Sequence, residues 1–179
     1  MIKALPYVVP LFALALAGSA QEHTSPYRGQ EWREVKALSP GEIRGLLAGE
    51  GMGLAKAAEL NGYPGPAHVL ALADELALDD AQLAATRNIE RAMRTAAVET
   101  GRELVAAERE LDRLFATRKV THESLKATLE RIAGLQAELR SIHLQAHIEQ
   151  TALLTPAQIR RYIELRGYGG HHEERKHPH

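Results

Sequence analysis

Two long stretches of heptad pattern, joined by a very short connection, constrain this fold more than any other feature. In residues 80–117 the two seams consist of Met93, Thr100, Ala107 and Leu114, and of Ala97, Leu104 and Leu111. In residues 122–152, continuing to Leu153, they consist of Leu125, Ile132, Leu139, Ala146 and Leu153, and of Leu135 and Ile142. This period predicts two helices of about 45 to 55 Å. Because only "TRKVT" connects them, the two helices are expected to be antiparallel.

The composition agrees with an all-α fold. Hydrophobic residues make up 45% of the 179 residues but aromatics only 4%, so the apolar content is mostly Ala and Leu, which helices accept at little cost. We expect one domain, a long antiparallel helical hairpin bracketed by short helices near residues 40–47, 54–60 and 67–78 and after Thr155. A thin hairpin cannot bury its own stripes, so these helices or a second subunit must cover them.

The two ends of the chain have the character of segments outside the domain. Residues 1–20 combine Lys3 with a short apolar run and small residues, which predicts a cleavable signal peptide and a periplasmic protein, with a retained membrane anchor as the alternative. Residues 21–38 are expected to be a flexible arm with Trp32 as its apolar anchor. Residues 39–168 form the predicted domain, and residues 169–179 a disordered His-rich tail.

Charge and motif content exclude several classes of function. The net charge of −1 offers no field that would attract nucleic acid. The chain has no cysteine, and it contains no GxSxG or HExxH motif and no phosphate-binding glycine loop, so we expect no catalytic residues.

One helix-start pattern occurs three times. In "LLTPAQI" Thr155 is the predicted N-cap, Gln158 completes a capping box, and Leu154 forms a hydrophobic staple with Ile159. "LDDAQL" repeats this with Leu78, Asp79 and Gln82, and "LSPGEI" repeats it from Leu38. A capping box alone indicates only where a helix begins.

The copies at Leu78 and Leu154 bracket the hairpin, and with them residues 67–167 resemble the Spy/CpxP family of periplasmic stress proteins, which carry two LTxxQ motifs. The second motif matches fully, whereas the first has Asp79 in place of Thr. The resemblance implies a bent helical hairpin, dimerised into a cradle, that binds unfolded proteins or reports envelope stress. Its heavy-metal-sensing and zinc-responsive relatives, of the ZraP and CnrX type, imply metal binding in some members.

The hairpin stripes provide a candidate surface for unfolded client proteins. Apolar residues left exposed on a thin hairpin can bind other apolar chains, although stripes at helical spacing usually form core. The candidate client-binding residues are Leu104, Leu111, Leu125, Leu129, Ile132 and Leu139.

Histidines provide candidate metal ligands. His143 and His147 are four residues apart, a spacing that places two imidazoles on one helix face, here at the edge of the seam. Because Zn²⁺ takes about four ligands, further donors would come from His68, Glu75 or Glu90. The tail histidines, which can capture Zn, Ni or Cu ions loosely, are His171, His172, His177 and His179. The alternative is that these histidines bind nothing.

The first hypothesis is therefore a periplasmic, ATP-independent chaperone or envelope-stress binding protein that needs no cofactor. The alternative is a heavy-metal sensor or scavenger that uses the helical and tail histidines. A third is an adaptor that docks on an inner-membrane sensor protein. In each case we expect a homodimer.

Overall fold

The computed structural model describes residues 24–168, and within this range the regular structure is entirely helical. The helices are α1 (Pro40–Ala48), α2 (Lys56–Glu59), α3 (Pro66–Ala71), α4 (Asp80–Ala116), α5 (His122–Leu153) and α6 (Pro156–Leu165). The predicted signal peptide and the His-rich tail lie outside the described residues. None of the helices in residues 24–168 is both long and apolar enough to cross a membrane.

The predicted long hairpin is confirmed, and α4 and α5 begin and end within one residue of the expected positions. The chain reverses over residues 117–121, where Arg118 adopts a φ of 57°. Two contacts fix the antiparallel register: Gln150 donates to the hydroxyl of Thr86 at 3.1 Å, and Arg131 pairs with Glu103 at 3.6 Å. Residues whose numbers add to about 235 therefore lie opposite each other.

The main core lies between α4, α5 and α1. It is formed by Leu46, Ala97, Leu104, Val105, Ala107, Ile132, Leu135 and Leu139, with Leu111 packed against it. Helix α1 approaches α4 closely because Gly101 lies against the backbone of Leu46, where a Cβ would have no room.

This packing corrects the predicted client-binding surface. Leu104, Ile132 and Leu139 are 5%, 6% and 3% exposed, so they are core residues and unavailable to a client in this structure. Leu125 is half-buried, and only Leu129 among the six is exposed. The reason is that α1 covers the stripe that a bare hairpin would leave open.

A second, smaller core lies at the open end of the hairpin, where it joins the start of α4 and the end of α5 to α3 and α6. Val69, Leu76, Leu154 and Tyr162 are buried in it, and Leu78 and Ile159 pack against them. Capping boxes are present at Ser39, Asp79 and Thr155, as the repeated pattern predicts. The staple residues Leu154 and Ile159 thus contribute to this core directly.

The two LTxxQ-like motifs meet through their glutamines. Gln82 Nε2 donates to Gln158 Oε1 at 3.0 Å, and Gln158 Nε2 donates to Gln82 Oε1 at 2.8 Å. The same amides donate to the carbonyls of Leu153 and Leu76, which closes the end of α5 onto the start of α4. Each glutamine therefore completes its own capping box and ties the two helix starts together.

Two local expectations are wrong. The helix expected over residues 67–78 ends after Ala71, because the following turns and the positive φ of Ala77, 49°, reverse the chain ahead of the cap at Asp79. In the segment before α1, Trp32 is 85% exposed, and Val35 is the buried residue that anchors the segment. The dimer stays a prediction.

Candidate functional site

A cavity of about 310 Å³ lies between α5, α4 and the short segments before the hairpin. Three of the four histidines in residues 24–168 line it, namely His68, His143 and His147. Both methionines of that part of the chain, Met52 and Met93, line it as well, and so does Glu59. The structure therefore brings all the helical histidines chosen from the sequence to one place.

His147 is held with one ring nitrogen facing the backbone. Its Nδ1 donates to the carbonyl of Tyr63 at 2.8 Å, which leaves Nε2 as the unprotonated nitrogen of the neutral ring. A Cβ on Gly65 would lie 2.9 Å from that Nε2, so a glycine is needed where the ring packs. In metal sites, the histidine nitrogen that does not bind the metal commonly donates to a backbone carbonyl, which fixes the orientation of the ring.

His143 lies one turn before His147 and is 3% exposed. Its Nε2 is buried and has no hydrogen-bond partner within residues 24–168. Burial, followed by the charge of His147, lowers the pKa of His143, so the ring is neutral at neutral pH. A buried, neutral imidazole without a partner is ready to bind a metal ion.

Glu59 is the centre of a buried polar cluster beside the cavity. Its Oε1 accepts from the hydroxyls of Tyr162 at 2.6 Å and Tyr168 at 3.0 Å, and from Arg166 Nε at 3.2 Å. His68 Nδ1 lies 3.3 Å from the same oxygen. This cluster connects α2 and α3 to α6 and to the segment that follows it.

The ionisation of Glu59 reflects these partners. Burial raises the pKa of Glu59, but the hydrogen bonds from Tyr162 and Tyr168 and the charges of His68 and Arg166 outweigh it and hold the pKa below its ordinary value. The second oxygen, Oε2, is buried without a hydrogen bond among the described residues and lies 3.9 Å from His147 Nδ1. Glu59 is thus a carboxylate at neutral pH, with one oxygen unused.

The structure corrects two sequence-based expectations about this site and leaves a third untested. His143 and His147, expected at the edge of the seam, are buried, because α2 and the loop at Gly65 cover this end of α5. Neither Glu75 nor Glu90 lines the cavity: Glu75 is exposed, and Glu90 accepts from Arg94 at 2.8 Å. The tail histidines lie outside the described residues.

Within residues 24–168, no three His, Asp or Glu side chains converge closely enough to hold a metal ion as they stand. His68 is engaged with Glu59 and Tyr162, and the carboxylate of Glu59 is turned toward its own donors. The two imidazoles of α5 are positioned to bind one ion. A third ligand has to be a side chain that rotates toward them or a residue other than His, Asp or Glu. The donor set fits a transition metal with a preference for nitrogen and soft ligands.

No family model, curated protein or solved structure matches this chain. The resemblance to the Spy/CpxP family therefore stays a prediction that depends on the two LTxxQ-like motifs and the hairpin between them.

Sequence reasoning missed Glu59, Tyr162 and Met93 as residues of this site. Glu59 belongs to a four-residue helix, and its partners Tyr162, Arg166 and Tyr168 follow it by more than 100 residues, so no local pattern connects them. Met93 was visible only as a heptad residue. The one available signal was the heptad frame itself, since it places Met93 on the seam that faces α5.

Proposed function

We propose that this protein binds a transition-metal ion through His143 and His147 and acts as a metal sensor or scavenger in the cell envelope. One observation carries the proposal: two buried imidazoles, one helical turn apart, line the same cavity as a third histidine and a buried carboxylate. Buried histidines without partners are costly unless something binds them. The unpartnered Nε2 of His143 supports a ligand at this place.

Each side chain has a distinct part in binding. His143 and His147 offer ring nitrogens from successive turns of a rigid helix, which fixes their separation. The Tyr63 carbonyl orients the ring of His147. His68 is 47% exposed, so it has the freedom to turn its Nε2 into the cavity as a third ligand.

Sensing follows from where the cavity lies. The ligands belong to α3 and α5, and the loop residues Gly51 and Gly65 form part of the wall. An ion bound by both helices stabilises the arrangement that holds it by RT ln(1 + [L]/Kd), about 2.7 kcal/mol at 100 times Kd. Metal occupancy is thereby converted into a change in the stability of the short helices on the hairpin.

The first prediction concerns the two histidines of α5. In a full chain whose tail histidines are replaced with alanine, His143→Ala together with His147→Ala is expected to weaken binding of Zn²⁺, Ni²⁺ and Cu²⁺ by about 100-fold or more, since two of three or four ligands are lost. Isothermal titration calorimetry measures this.

His122→Ala is the matched control, since His122 is exposed at the other end of α5 and should leave the affinity unchanged. Equal affinity in the doubly substituted protein and in the control would reject the site.

A second candidate is the binding of unfolded proteins, which exposed aromatic and apolar residues near the hairpin turn favour. Tyr27, Trp32, Phe115 and Leu129 are all at least 45% exposed. Ion pairs of Glu34 with Arg109 and of Lys36 with Asp112 hold the first segment along this end of α4. These residues, and not the predicted stripe, would form the client surface.

The test of this second candidate is suppression of aggregation of a denatured client at near-equimolar protein. Trp32→Ser with Phe115→Ser is expected to reduce suppression several-fold, because exposed aromatics supply most of the apolar contact area. Light scattering measures it, and Arg118→Ser at the hairpin turn is a charged surface control. Full suppression by the aromatic double variant would remove these residues as the client surface.

A further inference from the structure

We propose that the thioether of Met93 is a ligand of the histidine site and that the site is selective for copper as Cu(I). This inference rests on the proposed metal binding at His143 and His147 and names the ion that the site selects. It comes from the cavity lining, where both methionines of the described chain stand beside three of its four histidines.

The helix register places Met93 opposite His143. Gln150 donates to Thr86, and these two residues lie seven positions, or two turns, from His143 and Met93 respectively. Because α4 and α5 are antiparallel, moving two turns along each helix from the Thr86 and Gln150 contact brings Met93 and His143 face to face. Both then line the same cavity, as observed.

Met52, the other methionine, is differently placed. Its sulfur packs directly over Gly45 of α1, where a Cβ would have no room. In this structure that sulfur lies against α1, whereas Met93 stands on the hairpin itself, opposite the histidines of α5.

The ligand chemistry favours Cu(I) over Zn²⁺. Thioether sulfur is a soft ligand that selects Cu(I), and imidazole binds copper well, whereas Zn²⁺ in proteins prefers thiolate, imidazole or carboxylate. Met93, His143 and His147 are all uncharged donors, which suits a monovalent ion better than a divalent one. A buried site without a negative ligand leaves Zn²⁺ with more uncompensated charge.

Glu59 does not supply the missing negative ligand. Its Oε1 accepts from Tyr162, Tyr168 and Arg166, and its Oε2 lies 3.9 Å from His147 Nδ1. The Nε2 that is proposed as the ligand packs against Gly65, and the ring nitrogen that pairs with Glu59 is Nδ1. Glu59 therefore stabilises the helices that surround the histidines. The third donor on the hairpin is Met93.

The test compares Met93→Leu, a substitution of similar volume, with Ile89→Leu as the matched control, because Ile89 is a half-buried residue one turn earlier on α4 and does not line the cavity. Both are made in the full chain with the four tail histidines replaced by alanine. Competition with a chromogenic Cu(I) chelator under anaerobic conditions gives the Cu(I) affinity, and calorimetry gives the Zn²⁺ affinity. Met93→Leu is expected to lower Cu(I) affinity at least about tenfold and to change Zn²⁺ affinity less than about twofold, while Ile89→Leu changes neither.

X-ray absorption of the Cu(I)-loaded unsubstituted protein provides a second readout that needs no variant. A sulfur scatterer in the first coordination shell is expected, and it should disappear in Met93→Leu. Nitrogen scatterers alone, or equal Cu(I) affinity of both leucine variants, would overturn the role of Met93 while leaving metal binding intact. If replacing His143 and His147 left the metal affinity unchanged, the metal site itself would be rejected, which is a separate result.

Discussion

Gly101→Ala is expected to lower the free energy of unfolding by about 3 kcal/mol, since an added methyl group has no room between α4 and α1. A Cβ at Gly101 would collide with the carbonyl oxygen of Leu46 and lie 3.0 Å from its carbonyl carbon, and these are backbone atoms that a rotamer change cannot move. Helix α1 would have to shift away from α4 and withdraw Leu46 from the core. Urea unfolding followed by circular dichroism measures the loss.

Gly134→Ala is the matched control for this prediction. Gly134 is also inside a long helix, but it is exposed, and an added Cβ would have nothing within 4 Å. Alanine favours a helix over glycine by about 1 kcal/mol, so Gly134→Ala should raise the free energy of unfolding by about that amount. Alanine has the same helix preference at position 101. If the two variants change the free energy of unfolding in opposite directions, the difference is therefore due to the contact with α1. A neutral or stabilising Gly101→Ala would show that α1 does not pack there.

The sequence predicted the hairpin well because its information is local and repeated. Seam residues such as Leu104 and Ile132 recur at a period that only a helix satisfies, and the caps at Asp79 and Thr155 mark where helices begin. Antiparallel pairing then follows from a connection too short for any other arrangement. These predictions need no knowledge of distant contacts.

The candidate site could be predicted only in part. The spacing of His143 and His147 predicted that they share one helix face. Their burial depends on Gly65 and Glu59, which pack against α5 although they lie about 80 residues earlier in the chain. Heptad spacing likewise identified Leu139 as a stripe residue without showing that α1 helps to enclose the core that contains it. What covers a helix face is decided by tertiary packing, and the period of the sequence carries no information about it.

Glu59→Gln is expected to lower the free energy of unfolding by about 3 kcal/mol at pH 7, because it removes the charge around which three donors are arranged. The carboxylate is 11% exposed and accepts from Tyr162, Tyr168 and Arg166. An amide oxygen is a weaker acceptor for these donors, and it leaves the guanidinium of Arg166 without a counter-charge. The loss should appear first in the contact of α6 with α2, which amide hydrogen exchange of α6 would detect.

The pH dependence separates this carboxylate from a general loss of packing. The pKa of Glu59 is below its ordinary value of 4.5 in the folded protein, so its stabilisation is fully present above about pH 4.5 and is lost as pH falls through the folded-state pKa. The unsubstituted protein and Glu59→Gln should therefore differ most at neutral pH and converge in acid. Glu164→Gln, which removes an exposed carboxylate paired with Arg161 on α6, should cost less than about 0.5 kcal/mol at any pH. A loss at Glu59 that is independent of pH would mean that side-chain shape, and not the charge, holds α6 against α2.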